Sequence, residues 1–186
     1  MPGVGIDLSG TCIGNVQQAL LDQPAELQTR LGFKKASAIE LPFPDGSFTH
    51  VWSQATIYHV HEKESALREA HRVLENGGVL VFDDLTKPRP DISDSAKTYV
   101  YDRLLFATPY SFDSYQTALQ ETGFSILEAV DLSPHLKTNY QCLAEIAGVK
   151  GGEHDGKYQE PSYAYGQMVR AVDNGELGCG LYLCQK

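Results

Sequence analysis

The hydrophobic pattern is clearest between residues 48 and 84, where its period changes twice. Residues 48–53 are rich in aromatic and β-branched side chains and follow an Asp-Gly turn, which predicts a strand. Beyond His61 the apolar positions fall at helical spacing, with charged residues on the other faces. Residues 79–82 are continuously apolar, which is typical of a strand buried on both faces. This stretch predicts a strand–helix–strand unit with Asp83 and Asp84 just past its carboxyl end, where open α/β sheets bind ligands.

The rest of the chain continues this alternation of strands and helices. Further strands are predicted at residues 4–9, 33–38, 124–132 and 178–184. Helices are predicted at residues 12–31 with a break at Pro24, and at 95–106, 111–123, 136–146 and 162–174. Residues 148–156 are polar and rich in glycine, which predicts a mobile loop. Alternating strands and helices indicate an α/β fold, and 186 residues suit a single domain.

Composition narrows the class of protein only by exclusion. The net charge of -9 gives no electrostatic reason to bind nucleic acid or an anionic membrane surface. The four cysteines have no paired spacing, so we expect reduced thiols in a cytoplasmic protein. No apolar run approaches the length of a membrane span, and the first residues do not resemble a signal peptide.

Several short motifs, in order, carry a family resemblance. They are the run Ser-Ala-Ile-Glu-Leu-Pro-Phe-Pro-Asp-Gly-Ser-Phe at 37–48, Trp-Ser-Gln at 52–54, His59, and Arg-Val-Leu-x-x-Gly-Gly within 72–78. Together they resemble class I S-adenosylmethionine-dependent methyltransferases, from about residue 3 to the end. The Trp-Ser-Gln version is most similar to small-molecule N-methyltransferases acting on sarcosine, dimethylglycine or phosphoethanolamine. The resemblance implies a Rossmann-like three-layer sandwich, with a mostly parallel sheet and an antiparallel last strand.

The resemblance also implies a cofactor site for S-adenosylmethionine. Asp7, next to Leu8, takes the place of the acid that accepts hydrogen bonds from the ribose hydroxyls; alternatively it caps the following helix. Ser37 stands where the family commonly has an Asp for the adenine amino group, and the Ala38 N–H remains available to the ring. Ser53 and Gln54 would face the methionine end of the cofactor.

The acceptor site is expected beyond the fourth strand of the family fold. Gln54 and His59 would orient the acceptor or accept its proton, although His59 is as readily a structural residue. Since His59 and His61 have no evident third ligand, no metal site is predicted. Aromatic faces attract methylated ammonium groups, and the expected acceptor-binding residues are Tyr58, Asp84, Tyr110 and Tyr140. Each tyrosine has the alternative of simply packing with its hydroxyl in water.

One feature of the family pattern precedes Asp7 in complete enzymes: a strand, a glycine-rich loop and a helix. Only six residues stand before Asp7, so we expect a domain that lacks its first strand and glycine-rich loop. The flanking strands would then close up, a partner chain or self-association would supply the strand, or the chain is part of a longer protein. We favour the last of these, which predicts weak or absent cofactor binding by this chain alone. The expected function is methyl transfer to a small-molecule amine, and the alternative is a degenerate, non-catalytic binding or regulatory protein.

Overall fold

Two sheets form the framework of the protein. The computed structural model describes residues 2–106, 108–153 and 159–186. Strands β1 (Gly3–Asp7) and β2 (Leu31–Lys35) pair in parallel as a two-stranded sheet. The second sheet has the order β3-β4-β6-β5, formed by β3 (Phe48–Gln54), β4 (Leu74–Thr86), β5 (Ser125–Asp131) and β6 (Gly178–Gln185). Strands β3 and β4 are parallel, and β6 runs antiparallel to both of its neighbours, so the predicted antiparallel last strand is confirmed.

The helices fall close to their predicted positions. They are α1 (Gly10–Leu21), α2 (Ala25–Arg30), α3 (Lys63–Val73), α4 (Asp94–Ala96), α5 (Phe112–Thr122), α6 (Ser133–Glu153) and α7 (Gln159–Asp173). A 3₁₀ turn, Ile57–His59, precedes α3, and a π-helix, Lys97–Asp102, follows α4. No helix in the described ranges is both long and apolar enough to cross a membrane.

Helix α5 shows how local sequence sets these limits. The Ser111 hydroxyl accepts the N–H of Ser114 at 3.2 Å, which satisfies one of the free donors at the start of the helix. Gly123 ends the helix with φ 106°, a left-handed conformation that costs glycine nothing because it has no Cβ. The helix predicted at 111–123 is therefore confirmed.

The main core lies between the four-stranded sheet and helices α3 and α5. Leu67 from α3, Leu119 from α5 and Phe82 from β4 are fully buried there, and the Phe82 ring stacks on Tyr182 at 5.0 Å. A second core forms where the π-helix, α6 and α7 pack beyond the ends of the strands. By contrast, Trp52 on β3 is 73% exposed. Helices α3 and α5 therefore bury one face of the sheet and leave this side chain on the other.

Three predictions about the strands need correction. The first strand of the chain is present as β1, and it pairs with β2 rather than with β3. Strand β4 is longer than the predicted 79–82: its pairing with β6 continues to Thr86, and at its start the Gly77 N–H donates to the Lys186 carbonyl at 3.0 Å. Asp83 and Asp84 thus lie within the strand rather than past it. Strand β2 ends at Lys35, so Ser37 and Ala38 follow it in a turn.

The loop predicted at 148–156 is wrong for residues 148–153, which continue α6. Residues 154–156 lie outside the described part of the chain. Helix α6 packs along α7, where the Ser162 hydroxyl donates to the Ala144 carbonyl at 2.9 Å. A Cβ at Gly148 would lie 3.4 Å from the Ser162 hydroxyl oxygen, so glycine suits the close approach of the two helices there. Tertiary packing therefore outweighs the weak helix propensity of this segment.

Candidate cofactor and acceptor site

The first group of predicted cofactor residues lies at the carboxyl end of the two-stranded sheet. Asp7 ends β1 and accepts the Ser9 N–H at 2.6 Å through one carboxylate oxygen. Ser9, not Asp7, caps α1, because its hydroxyl accepts the Cys12 N–H at 3.2 Å. The described residues donate no hydrogen bond to the second Asp7 oxygen, which leaves an acceptor for a hydroxyl ligand. Leu8 beside it is 68% exposed.

Ser37 and Ala38 lie next to this acid. The Ala36 N–H donates to the Asp7 carbonyl at 3.1 Å, which brings the end of β2 beside the end of β1. The Ser37 hydroxyl already accepts the Ile39 N–H at 3.4 Å, and its carbonyl accepts the Glu40 N–H at 3.3 Å. The Ser37 side chain therefore shapes a tight turn and is a poorer substitute for a carboxylate than its position suggests.

The second group lies at the end of β3, in the other sheet. Gln54 is exposed and stands in register with Asp83 of β4, one residue after the half-buried Ser53. The Asp83 carboxylate accepts the Ala55 N–H at 2.8 Å. Ala55 has φ 45°, a left-handed conformation that is unfavourable for a residue with a Cβ. The chain thus turns sharply after Gln54, and Asp83 holds that turn.

Behind this turn lies a buried polar cluster centred on Asp84. Asp84 is 0% exposed, its Oδ2 accepts the Tyr115 hydroxyl at 3.0 Å, and the Lys63 ammonium is 3.6 Å away. Lys63 also donates to the Ile57 carbonyl in the 3₁₀ turn. Burial raises the pKa of Asp84 to about 6, while Lys63 and Tyr115 act to lower it. The Tyr58 and Leu85 backbone N–H groups also face the Asp84 carboxylate and lower its pKa, although neither makes a well-aligned hydrogen bond to the buried Oδ1.

An aromatic cluster adjoins the 3₁₀ turn. The Tyr58 ring lies 3.9 Å from the exposed His59 ring and 5.9 Å from Phe106. Tyr140 is buried and stacks on Tyr165 at 6.1 Å. Burial raises the pKa of Tyr140 to about 12, with the nearby Tyr58 adding to the shift. Tyr58 and Tyr140 thus belong to one cluster, where both hydroxyls remain protonated at neutral pH.

Tyr110 lies on another side of the buried acid. Its ring is 4.9 Å from Tyr115, and its hydroxyl is 3.4 Å from Glu64. It lines a cavity of about 310 Å³ with His61, Lys63 and Arg68 among other residues. His61 also lines a neighbouring cavity of about 390 Å³ beside Phe106. His61 therefore borders both cavities, although its sequence context suggested only a weak metal ligand.

Two buried partners of Asp84 were missed by sequence reasoning. Lys63 stands in a run of charged residues at the start of α3 and is typical there of a solvated helix surface. Tyr115 lies on the apolar face of α5, so the helical spacing of apolar residues could have predicted its burial. The same spacing does not indicate that an acid lies beside its hydroxyl. Both contacts arise between segments that are distant in sequence.

Sequence and fold are both similar to those of known proteins. Residues 3–82 match the family model of the methyltransferase domain. The chain carries a methyltransferase domain. It is 33% identical to 27-O-demethylrifamycin SV methyltransferase of Amycolatopsis mediterranei, over 65% of this chain and 45% of that protein. It is 30% identical to sarcosine/dimethylglycine N-methyltransferase of Halorhodospira halochloris, over 63% of this chain and 42% of that protein.

A solved structure extends the likeness to almost the whole chain. Phosphoethanolamine N-methyltransferase 2 of Haemonchus contortus, in complex with phosphomonomethylethanolamine and S-adenosylhomocysteine, matches with a TM-score of 0.84. The match covers 98% of this chain and 43% of that one at 19% identity, which shows the fold. The predicted Rossmann-like methyltransferase fold is therefore confirmed. The chain spans about half the length of the curated relatives it matches.

Proposed function

We propose that this chain takes part in S-adenosylmethionine-dependent methyl transfer to a small-molecule amine. The observation that carries the proposal is the buried Asp84 carboxylate near the end of β4, which Lys63 joins to the 3₁₀ turn that carries Tyr58 and His59. A buried carboxylate favours positive charge and N–H donors in its surroundings. An amine supplies N–H donors, and a protonated or methylated amine is also attracted to aromatic faces.

The nucleoside end of the cofactor would be held by the two-stranded sheet. The second oxygen of Asp7 accepts hydrogen bonds from the ribose hydroxyls. The exposed Leu8 side chain beside it packs against the nucleoside. Because the Ser37 hydroxyl is already engaged, the adenine contact falls to the Ala38 backbone. When bound, S-adenosylmethionine supplies an electrophilic methyl group on a sulfonium.

The remaining roles fall to residues around the sharp turn after β3. Ser53 and Gln54 orient the methionine end of the cofactor from the end of the strand. Gln54 and His59 position the acceptor, and the exposed His59 imidazole accepts the proton that an ammonium must lose before its nitrogen can attack. Tyr58, Tyr110 and Tyr140 would enclose the acceptor with their aromatic faces. Methyl transfer needs little beyond this positioning of a neutral nitrogen.

Titration with S-adenosylhomocysteine tests the cofactor part of the proposal. We expect weak binding that Asp7→Ala abolishes, because this variant removes the only carboxylate at the end of β1. Asp22→Ala, which removes an exposed acid at the end of α1, is the matched control and should bind like the unchanged protein. Equal binding by the Asp7 and Asp22 variants would overturn the ribose role.

A transfer assay with labelled methyl groups tests the acceptor class. Sarcosine, dimethylglycine and phosphoethanolamine are compared with alcohols of similar size. We expect product from at least one amine and less from every alcohol. Transfer to the alcohols alone would contradict the amine assignment, a real prospect because the relatives include O-methyltransferases.

The engaged Ser37 hydroxyl favours one second candidate, a non-catalytic binding or regulatory protein of the same fold. In such a protein the adenine site would have degenerated while the fold remained. The titration separates the two candidates: no binding of S-adenosylhomocysteine and no transfer to any acceptor would favour the non-catalytic protein.

A further inference from the structure

The Arg72 guanidinium, near the end of α3, uses every N–H that it has. Its Nε donates to Glu69 Oε1 at 2.7 Å, and one Nη2 hydrogen goes to Glu69 Oε2 at 2.8 Å. The other Nη2 hydrogen goes to the Leu41 carbonyl at 2.9 Å. Nη1 donates to the Phe43 carbonyl at 2.8 Å and to Asp45 Oδ1 at 2.7 Å. Arginine has five donors in a rigid planar fork, so this arrangement is saturated.

The contacts of Arg72 converge on a single loop, residues 41–46. Three of the five bonds reach this loop, and Glu69 adds a fourth because its Oε2 accepts the Leu41 N–H at 2.6 Å. The Arg72 carbonyl accepts the Gly46 N–H at 3.0 Å, and Gly46 makes the turn with φ 63°. The hydrogen bond from Arg72 lowers the pKa of Glu69, so the pair stays charged at neutral pH. Helix α3 therefore holds the loop by both its backbone and its side chains.

This loop is the covalent link between the two sheets. It follows Ser37 and Ala38, and it leads into β3, which ends at Gln54. No backbone pairing joins β1 or β2 to β3 among the described strands. Phe43 makes the connection in space: its ring meets Phe48 at the start of β3 at 5.0 Å, and Lys34 of β2 lies over it at 5.7 Å. The attachment of the small sheet thus depends largely on how residues 41–46 are held.

We propose that Arg72 is a positioning residue that sets the two-stranded sheet against the four-stranded sheet. By fixing residues 41–46 to α3, it places Ser37 and Ala38 at a defined distance from the end of β3. The effect of Arg72 on cofactor binding rests on the proposed function. Its effect on the placement of the two sheets does not. Arg72 contacts neither the acceptor nor the cofactor in this role.

Hydrogen exchange measured by mass spectrometry tests the proposal without any ligand. Arg72→Lys keeps the positive charge but loses the planar fork, so it cannot reproduce the bonds to Glu69 and the loop. We expect amides in residues 3–7, 31–35 and 41–46 to exchange about tenfold faster, while those in residues 79–86 keep their rates. Arg170→Lys is the control, because it changes an exposed arginine in the last turn of α7, outside the candidate site.

The pattern of exchange decides the outcome. An equal rise in all strands would show that Arg72 only contributes to global stability, and unchanged rates in residues 3–7 and 31–35 would show that it does not position the small sheet. Should Arg72→Lys fail to fold, Glu69→Gln gives the same test, because it removes the charge that orients the guanidinium. The exchange rates of Glu69→Gln in residues 3–7, 31–35 and 79–86 are then judged as for Arg72→Lys.

Titration with S-adenosylhomocysteine then separates this proposal from the proposed function. If the unchanged protein binds the ligand, we expect Arg72→Lys to weaken binding about tenfold and Arg170→Lys to leave it unchanged. Full-strength binding by Arg72→Lys would overturn the link to the cofactor site. If the unchanged protein binds nothing, the proposed function fails, and the exchange pattern alone decides the role of Arg72.

Discussion

The ammonium of Lys63 lies 3.6 Å from the carboxylate of Asp84, and both side chains are almost completely buried. Two charges removed from water are each costly, and their mutual attraction offsets that cost only while both are present. Lys63 joins this pair to the 3₁₀ turn that carries Tyr58 and His59. The pair thus connects the stability of the core to the geometry of the candidate acceptor site.

Removing one partner of this pair should be strongly destabilising. Lys63→Met keeps the volume but leaves a buried carboxylate without its cation, so we expect the free energy of unfolding to fall by about 3–5 kcal/mol. Urea denaturation at neutral pH measures the change. Lys97→Met is the control, because its pair with Asp102 is exposed and should cost at most about 1 kcal/mol. Equal costs for the two variants would contradict the burial of Lys63.

The pH dependence of stability should carry the signature of Asp84. Its pKa rises from the ordinary value of 3.8 to about 6 on folding, so between these values the folded state holds a proton that the unfolded state has lost. The contribution of Asp84 protonation to the free energy of unfolding is fully present below about pH 3.8 and is lost as the pH rises to about 6. Over that range the free energy of unfolding falls by at most about 1.4 kcal/mol per pH unit.

Urea denaturation from pH 4 to pH 8 checks this term by difference. Asp84→Asn cannot titrate, so the unfolding free energy of the unchanged protein should fall, relative to that of this variant, as the pH rises from 4 to 6. Above pH 6 the two curves should run parallel until Lys63 titrates; burial lowers the pKa of this residue. A difference that grows in the opposite direction would show that Lys63 outweighs burial at this site.

The Tyr115 hydroxyl is the direct hydrogen-bond donor to Asp84. Tyr115→Phe leaves the ring in the core and removes only that donor, so we expect a loss of about 1–3 kcal/mol of unfolding free energy. The pKa of Asp84 should rise further in this variant. Tyr182→Phe is the control, since its hydroxyl donates to the Phe112 carbonyl at a longer 3.3 Å. Thermal unfolding of both variants measures the difference, and a larger loss in Tyr182→Phe would contradict the prediction.

Gly46 is required by its backbone rather than by space. It has φ 63°, and a Cβ there would lie 3.8 Å from the nearest atom, the Glu75 Cα, so only the conformation opposes a side chain. Gly46→Ala should therefore cost about 1–2 kcal/mol. Gly14→Ala in α1 meets no atom within 4 Å and should instead stabilise the protein by about 0.5–1 kcal/mol. Denaturation of the two variants should give opposite signs.

Release of the turn after β3 should affect activity more than stability. Asp83→Ala removes the closer of two acceptors of the Ala55 N–H and leaves only the Asp83 carbonyl at 3.2 Å, so the left-handed conformation of Ala55 has less to hold it. Under the proposed function, we expect the methyl-transfer rate to fall about tenfold through misplacement of Gln54 and His59. Asp131→Ala at the end of β5 is the control. An unchanged rate in Asp83→Ala would separate this turn from the reaction.

Local patterns predicted most of the elements correctly because their signals are contained in a few neighbouring residues. The helical spacing after His61, the cap at Ser111 and the glycine at 123 each specify an element by short-range contacts. Errors arose where a distant segment decided the outcome. Strand β4 gained residues from its pairing with the chain end, and α6 continued through Gly148 because α7 packs against it.

The candidate site divides in the same way. Asp7 and Gln54 were predicted at the ends of strands and end β1 and β3, whereas Asp84 was predicted past its strand and lies within β4. The partners that give them their properties were not predicted. Nothing in the pattern of α3 shows that Lys63 is buried, or that Arg72 of the same helix holds a loop about thirty residues earlier.

By itself the sequence determined the alternation of strands and helices, the methyltransferase motifs and the acids that end the strands, because these depend on residue type and short spacing. The tertiary structure alone decided that the strands divide into two sheets, that Asp84 is buried with Lys63 and Tyr115, and that Arg72 saturates its donors on one loop. Burial and ion pairing arise between segments far apart in the chain, so their energies take shape only when the helices pack against the sheet.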